Sequence, residues 1–156
     1  MAKWVIKTAA DYAAAHKGIQ DKIDKVTEGI NSATIKAVID IALDWIGRAV
    51  ERAPVETGDL RGSAYVKING TLVAKGNEDG SITVLGSPSI PTDGRMTITV
   101  EIGFTSPYAF VQHEHVEFEH PLGGEAKYLE SVIVEGSAAA RQYLIDSAKK
   151  AFGGDV

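Results

Sequence analysis

Hydrophobic residues recur at intervals of three and four positions between residues 35 and 50, which is the spacing of one face of an α-helix. The recurring residues are Ile35, Val38, Ile39, Ala42, Trp45, Ile46, Ala49 and Val50. Asn31 or Ser32 is expected to cap the start of this helix, because these side chains accept hydrogen bonds from free backbone N–H groups. Pro54 is expected to end it, since proline disfavours helical geometry in the residue before it.

The N-terminal residues carry a weaker pattern. Residues 1–18 are rich in alanine, which favours helix without specifying a buried face. Gly18 and Gly29 would weaken a continuous helix. We therefore expect residues 1–30 to form an N-terminal arm or helix extension, next to a single domain at residues 31–152.

The middle of the chain predicts a small antiparallel sheet. Asn69 and Gly70 stand between two β-prone runs, which is typical of a tight hairpin. The predicted strands are 64–68, 71–74, 82–85 and 96–104. Repeated glycine and proline residues between 75 and 95 indicate an extended loop.

A helical stripe of apolar residues returns at residues 127–152, and Gly153 ends it. Gly136 lies in the middle, where glycine costs roughly 1 kcal/mol relative to alanine. The order is helix, sheet, irregular segment and helix. The predicted fold class is therefore α+β, with a long N-terminal helix, a small antiparallel β-sheet with an extended loop, and a C-terminal helix.

Composition excludes several kinds of function. The 156 residues contain no cysteine, which excludes disulfides, thiolate catalysis and cysteine-ligated metals. No apolar run has the length needed to span a bilayer, so we expect a protein made in the cytoplasm with no membrane partner. The net charge of −5 argues against specific nucleic-acid binding. Seven glutamates and one lysine lie between Glu101 and Glu135, which would repel DNA or attract a basic partner.

The segment from residue 107 to 130 holds the candidate chemistry. Three histidines and three glutamates lie close together: His113, Glu114, His115, Glu117, Glu119 and His120. In a strand, alternate members from His113 to Glu119 would share one face, where imidazoles and carboxylates can bind a divalent ion. The HExxH pattern of metalloproteases is not met, because Glu117 stands where the second histidine should be. We therefore expect no catalytic residue, metal or cofactor, and keep a metal site at His113, His115 and His120 as an alternative.

Two turns, one at residues 107–110 and one at residues 57–61, are predicted to position side chains for packing. Tyr108 and Phe110 are expected to be core anchors, because aromatic side chains bury large areas. Gly58 is expected to adopt positive φ in a turn, with Leu60 pointing inward and Arg61 outward.

Three segments together resemble one family. They are Ala53 to Arg61, with the pattern P-x-x-T-G-x-L-R; Tyr108 to Glu114, with Y-A-x-x-x-H-E; and His120 to Glu130, with K-[YF]-L-E. The ordered set resembles the tailed-bacteriophage minor capsid or neck proteins, also called tail-completion or head–tail joining proteins. The resemblance covers roughly residues 35–150 by the order of elements.

The resemblance implies a structural virion protein, not an enzyme, that forms a homo-oligomeric ring at the head–tail junction. Its implied partners are connector and tail proteins, and DNA would pass through without specific binding. It assigns structural roles to Thr57, Gly58, Leu60, Arg61, Tyr108, His113, Glu114, Lys127, Tyr128 and Leu129. As a hypothesis, Glu114, Glu117 and Glu119 face the DNA channel and repel phosphates. The alternatives are a metal-dependent hydrolase using His113 to His120, and an acidic adaptor that docks a basic partner.

Overall fold

The computed structural model describes residues 9–55, 58–86, 88 and 97–153. It confirms the predicted α+β fold, in which two long helices pack together and one of them also carries a four-stranded antiparallel sheet. The elements are α1 (Ala9–Arg52), α2 (Asp59–Gly62), β1 (Ala64–Ile68), β2 (Thr71–Gly76), β3 (Ile82–Val84), β4 (Val100–Phe104), α3 (Ala109–Glu114) and α4 (Tyr128–Gly153). Of these described residues, no helix is both long and apolar enough to cross a membrane.

Helix α1 is one continuous helix of 44 residues. The expected start at Asn31 or Ser32 is wrong, because both residues lie inside the helix. Gly18 and Gly29 do not interrupt it either. Once a helix has formed, each added residue costs little, so a few poor helix formers are tolerated among alanines and long polar side chains. Residues 9–30 are therefore a helix extension, while residues 1–8 lie outside the described part.

The sheet has the order β3-β2-β1-β4, and all its neighbouring strands run antiparallel. The predicted hairpin is confirmed: Asn69 and Gly70 both have positive φ, 50° and 79°, as a tight turn between twisted strands requires. The strand predicted at 96–104 is shorter and begins at Val100. Thr99 instead exchanges hydrogen bonds with the hairpin residue Asn69, at 2.8 and 2.9 Å. Of the loop predicted at 75–95, residues 75–86 and 88 are described, and the other residues lie outside the described part.

One face of the sheet packs on α1 and forms the main core. The buried members are Ala42, Ile46 and Val50 of α1 with Ala64, Val66, Ile68, Val73 and Ala74 of the sheet. Alternate residues of β1 point into this core, as expected for a strand with one covered face. The arrangement fixes the sheet against the C-terminal half of α1.

Helix α4 packs along α1 and is joined to it by polar contacts. Arg52 donates two hydrogen bonds to Glu135, at 2.6 and 2.9 Å, and the hydroxyl of Tyr143 donates to Asp40 at 2.9 Å. Gly136 is buried beside Trp45, and a Cβ at this position would overlap the indole ring. The glycine therefore permits the close approach of the two helices, which explains its presence in the middle of α4.

We predict opposite effects of two glycine-to-alanine substitutions in helices. Gly18→Ala should raise the free energy of unfolding by about 0.5–1 kcal/mol, because beyond its chain neighbours and the backbone of its own helix nothing lies within 4 Å of the added methyl group. Gly136→Ala should lower it by about 1 kcal/mol, since moving Trp45 outweighs the gain in helix propensity. Urea unfolding of the two variants and the wild type measures both changes. A Gly136→Ala variant as stable as Gly18→Ala would contradict the close helix packing.

Candidate interaction surface at the end of helix α1

The turn after α1 folds back to complete that helix. Gly58 has φ 82°, as predicted, and Leu60 is buried. Arg61 does not point outward: its guanidinium donates to the backbone oxygens of Ala53 and Glu51, at 3.1 Å each. The outward prediction is wrong because the last carbonyl groups of a helix have no partner within the helix, and Arg61 supplies one. Thr57 lies outside the described residues.

A second segment crosses the same end of α1. Gly124 has φ 110°, and an added Cβ there would overlap the backbone of Ala53 and Pro54. The next residue, Glu125, donates its N–H to the Arg52 carbonyl at 2.8 Å. The glycine is therefore required for both its conformation and its close contact, and it brings the start of α4 over the end of α1.

Tyr128 fills the space between these two segments. Its side chain is 1% exposed and packs with Ala53 and Leu60 in a small core separate from the main one. The buried hydroxyl donates to the Ala109 carbonyl at 3.0 Å, which ties α4 to the first turn of α3. Burial raises the pKa of Tyr128 to about 12. The hydroxyl therefore remains a donor throughout the ordinary pH range.

Two further rings contact Tyr128 edge to face. The ring centre of Phe104, at the end of β4, lies 5.0 Å away with an interplanar angle of 85°. His113 of α3 lies 4.9 Å away at 83°. Edge-to-face pairs of this kind are favourable because the positive ring edge meets the negative ring face. The sheet, α3 and α4 therefore meet on one side chain.

A hydrogen-bonded cluster lies beside these rings. His113 accepts a hydrogen bond at Nε2 from the N–H of Glu130, at 3.3 Å. Its Nδ1 therefore carries the proton of the neutral ring and donates to Glu114 Oε1 at 2.7 Å. The other oxygen of Glu114 accepts from Lys127 Nζ at 2.5 Å, and Lys127 also lies 3.0 Å from Glu130. Every polar group of the cluster thus has a partner of matching type.

Glu114 and Lys127 of this cluster are held in their charged forms. Hydrogen bonds from Lys127, and secondly from His113, lower the pKa of Glu114 below its ordinary value of 4.5. Hydrogen bonds to Glu114 and then Glu130 raise the pKa of Lys127. The ion pair between α3 and the start of α4 therefore persists through the neutral range.

The three histidines kept as an alternative metal site do not come together. No strand forms at 113–120, because α3 ends at Glu114 and the chain is then irregular as far as α4. His115 instead contacts Glu117 at 2.5 Å and stacks on Phe118, apart from His113 and His120. The alternative set of three histidines is therefore not assembled in this structure.

Among the described residues, one other group has ligand atoms close enough for a metal. His113, Glu114 and Glu130 each offer an atom within 4.8 Å of the others. However, the ammonium group of Lys127 already contacts both carboxylates, and both ring nitrogens of His113 have hydrogen-bond partners. The group is thus arranged around a lysine, whose charge would repel a divalent ion.

The aromatic side chains at the start of α3 are exposed. Tyr108 and Phe110 are 65% and 74% exposed, so their expected role as core anchors is wrong. Tyr128 occupies the buried position instead. Six of the sixteen exposed large hydrophobic residues in the described chain fall in this short stretch: Tyr108, Phe110, Val111, Val116, Phe118 and Leu122. We call these six residues the 108–122 surface, and such a concentration is typical of a protein interaction site.

The glutamates of this stretch are not equivalent. Glu114 is paired with Lys127, and Glu117 is hydrogen-bonded to His115. Glu119 is exposed and has no hydrogen bond or ion pair with another described residue. The free negative charge available to a DNA channel or a partner is therefore smaller than the sequence suggests, and Glu119 carries most of it.

Comparison with protein-family models, with curated proteins and with solved structures found no match to this chain. Assignment of the site therefore depends on the arrangement of its own residues. Most of the residues chosen from the resemblance lie together at the end of α1, whereas Tyr108 lies outside that small core. Phe104 and Glu130 were missed. The three-residue spacing of Glu130 from Lys127 was a signal for their ion pair, whereas nothing local indicated the contact of Phe104 with Tyr128.

We predict that Tyr128→Phe lowers the free energy of unfolding by about 1–2 kcal/mol, because it leaves the Ala109 carbonyl without its donor. Tyr143→Phe is the matched control, since it removes an exposed hydrogen bond to Asp40 and should cost less. Thermal or urea unfolding measures both. Equal losses in the two variants would contradict a special role for the buried hydroxyl.

We also predict that the Glu114 ion pair stabilises the fold less in acid. Its lowered pKa means that the contribution is complete above about pH 4.5 and is lost as the pH falls below that value, because the unfolded chain then binds the proton more readily. The difference in unfolding free energy between wild type and Glu114→Gln should therefore shrink between pH 5.5 and pH 3. Glu119→Gln serves as control and should preserve the wild-type profile. A Glu114→Gln difference that stays constant with pH would refute the assignment.

Proposed function

We propose that this protein is a structural subunit of the head–tail junction of a tailed bacteriophage, forming a ring between connector and tail around the DNA channel. One observation carries the proposal. The three segments that resemble the neck and tail-completion proteins are distant in sequence, yet all three meet at the end of α1 around Tyr128.

The meeting of these segments supports a true relationship over a chance match. Short motifs that match by accident have no reason to contact one another in the folded chain. Here Leu60 of the first segment and Tyr128 of the third share a core, and His113 of the second contacts the same tyrosine. The matched residues therefore act as one structural unit.

The 108–122 surface supports an assembly role. Exposed aromatic and aliphatic side chains lose the free energy that burial would provide, about 1.5–3 kcal/mol for each large side chain. Phe110 and Val116, at 74% and 71% exposed, are the clearest cases. A ring subunit would cover such residues with a neighbouring protein.

The charge of this region favours protein partners over DNA. Five glutamates and one lysine lie between residues 107 and 130. This charge would repel phosphates, so DNA would pass without specific contact, while basic surfaces of neighbouring proteins would be attracted. The proposed partners are other copies of the chain and the adjacent connector and tail proteins, in the virion.

We predict that the purified chain self-associates into closed rings as its concentration rises, and that the double variant Phe110→Ser/Val116→Ser does not. The matched control is Phe152→Ser/Val134→Ser, which removes the same two residue types from exposed positions of α4. Native mass spectrometry gives the copy number, and electron microscopy of the particles shows whether they are closed.

Two results would contradict the proposal. A chain that remains monomeric at all concentrations and holds one tightly bound zinc ion would favour the hydrolase alternative. A monomer that binds a basic protein in a strongly salt-dependent way would favour the acidic adaptor. Measuring the mass with and without added zinc, at low and high salt, separates these cases.

A further inference from the structure

The N-terminal part of α1 extends beyond the rest of the fold. The last turns of α4, at Lys150 and Ala151, lie beside Ala33 and Ala37 of α1. Residues 9–30 therefore project past the end of α4, over about 33 Å at 1.5 Å per residue. We call residues 9–30 the arm.

The arm carries an apolar stripe whose N-terminal half is not covered by any other described part of the chain. The stripe consists of Ile19, Ile23, Val26 and Ile30, spaced by four, three and four residues on one helical face. Ile19 and Ile23 are 61% and 53% exposed. A helix with this much exposed apolar surface and two internal glycines would be marginal alone, so a partner should stabilise it.

Charges are distributed unevenly around the stripe. At 100° per residue, Lys22 lies about 70° from the centre of the stripe and borders it, whereas Lys25 lies about 130° away, toward the far side of the helix. Asp21 and Glu28 fall on the opposite side of the helix, and Asp24 falls toward the other edge. Lys22 is therefore the charged residue beside the stripe, and it is basic.

We propose that the arm of one copy docks on the 108–122 surface of a neighbouring copy. Both carry exposed apolar side chains, and Lys22 beside the stripe of the arm would face a surface whose Glu119 has no partner among the described residues. The proposal rests on the ring-forming role proposed above and names the contact that builds the ring. It also assigns Glu119 to a subunit interface and not to the DNA channel.

An arm cannot reach the surface of its own chain. The 108–122 surface is built at the Ala53 end of α1, whereas Ile23 lies 30 residues away along the same helix, about 45 Å. The contact must therefore join two different surfaces of two copies. Repetition of such a head-to-tail contact produces a closed ring when the rotation between copies closes, as a ring subunit requires.

Pairing between two arms explains the structure less well. The stripe spans only about two heptads, which is short for a stable coiled coil. The positions that would flank it are Gln20, Lys22, Thr27 and Gly29, which offer no opposite charges for interhelical ion pairs. Arm pairing would also leave the 108–122 surface exposed.

We predict the result of mixing two full-length variants, each defective in one half of the contact. The arm variant is Ile19→Ser/Ile23→Ser, and the surface variant is Phe110→Ser/Val116→Ser. Each should be monomeric alone, whereas their equimolar mixture should double in mass to a heterodimer and grow no further, because it contains one intact arm and one intact surface. Analytical ultracentrifugation measures the masses, with Phe152→Ser/Val134→Ser as the variant that should still assemble fully.

A charge exchange tests the polar part of the contact. Lys22→Glu and Glu119→Lys should each weaken self-association by about two- to five-fold, as exposed ion pairs contribute modestly. Combining both substitutions in one chain should restore it. A double variant that self-associates no more strongly than the single variants would overturn the pairing of these two residues.

The outcomes separate a failure of the proposed contact from a failure of the proposed ring-forming role. If the surface variant assembles alone, the arms pair with each other; if the arm variant assembles alone, two surfaces pair. Either result overturns the contact. If the wild-type chain forms rings and both variants still form them, the contact is overturned but the ring-forming role stands. A wild-type chain that never self-associates contradicts that role itself.

Discussion

The buried side chain of Tyr128 connects helix α4 to three other parts of the chain, and the candidate interaction surface depends on this connection. Its ring packs on Ala53 and Leu60 at the end of α1 and contacts Phe104 of the sheet. Its hydroxyl must have an acceptor because it is buried, and the Ala109 carbonyl supplies one. One residue thus combines an apolar contact that holds α1, α4 and the sheet with a directional bond that orients α3.

The position of Tyr128 also determines which aromatic side chains lie on the surface. Because it fills the small core, Tyr108 and Phe110 have no place there and lie on the surface. The ion pair of Glu114 with Lys127 holds α3 against the start of α4. The backbone that carries these aromatic residues therefore has a fixed position. A preorganised apolar surface of this kind favours association, because little side-chain and backbone freedom remains to be lost on binding.

Sequence patterns predicted the elements well where one face of each is buried. The stripes of α1 and α4 and the hairpin at Asn69 repeat over enough residues to be recognised without tertiary information. Local patterns do not predict the position of a side chain when a contact with a distant residue determines it. Tyr108 and Tyr128 look equivalent locally, and only the proximity of Ala53 and Leu60 makes one of them buried. Likewise, the segment before α4 is predicted to be irregular, whereas residues 109–114 form the short helix α3, whose His113 accepts a hydrogen bond from Glu130 of α4.

We propose that this chain is an assembly subunit whose arm and 108–122 surface are covered together by neighbouring copies. Hydrogen–deuterium exchange of the full-length protein, above and below the concentration at which it associates, tests this most directly. Amides in residues 9–30 and 108–122 should become protected together on association, while those of strands β1 and β2 remain as they were. Associated protein in which neither segment gains protection would contradict the account.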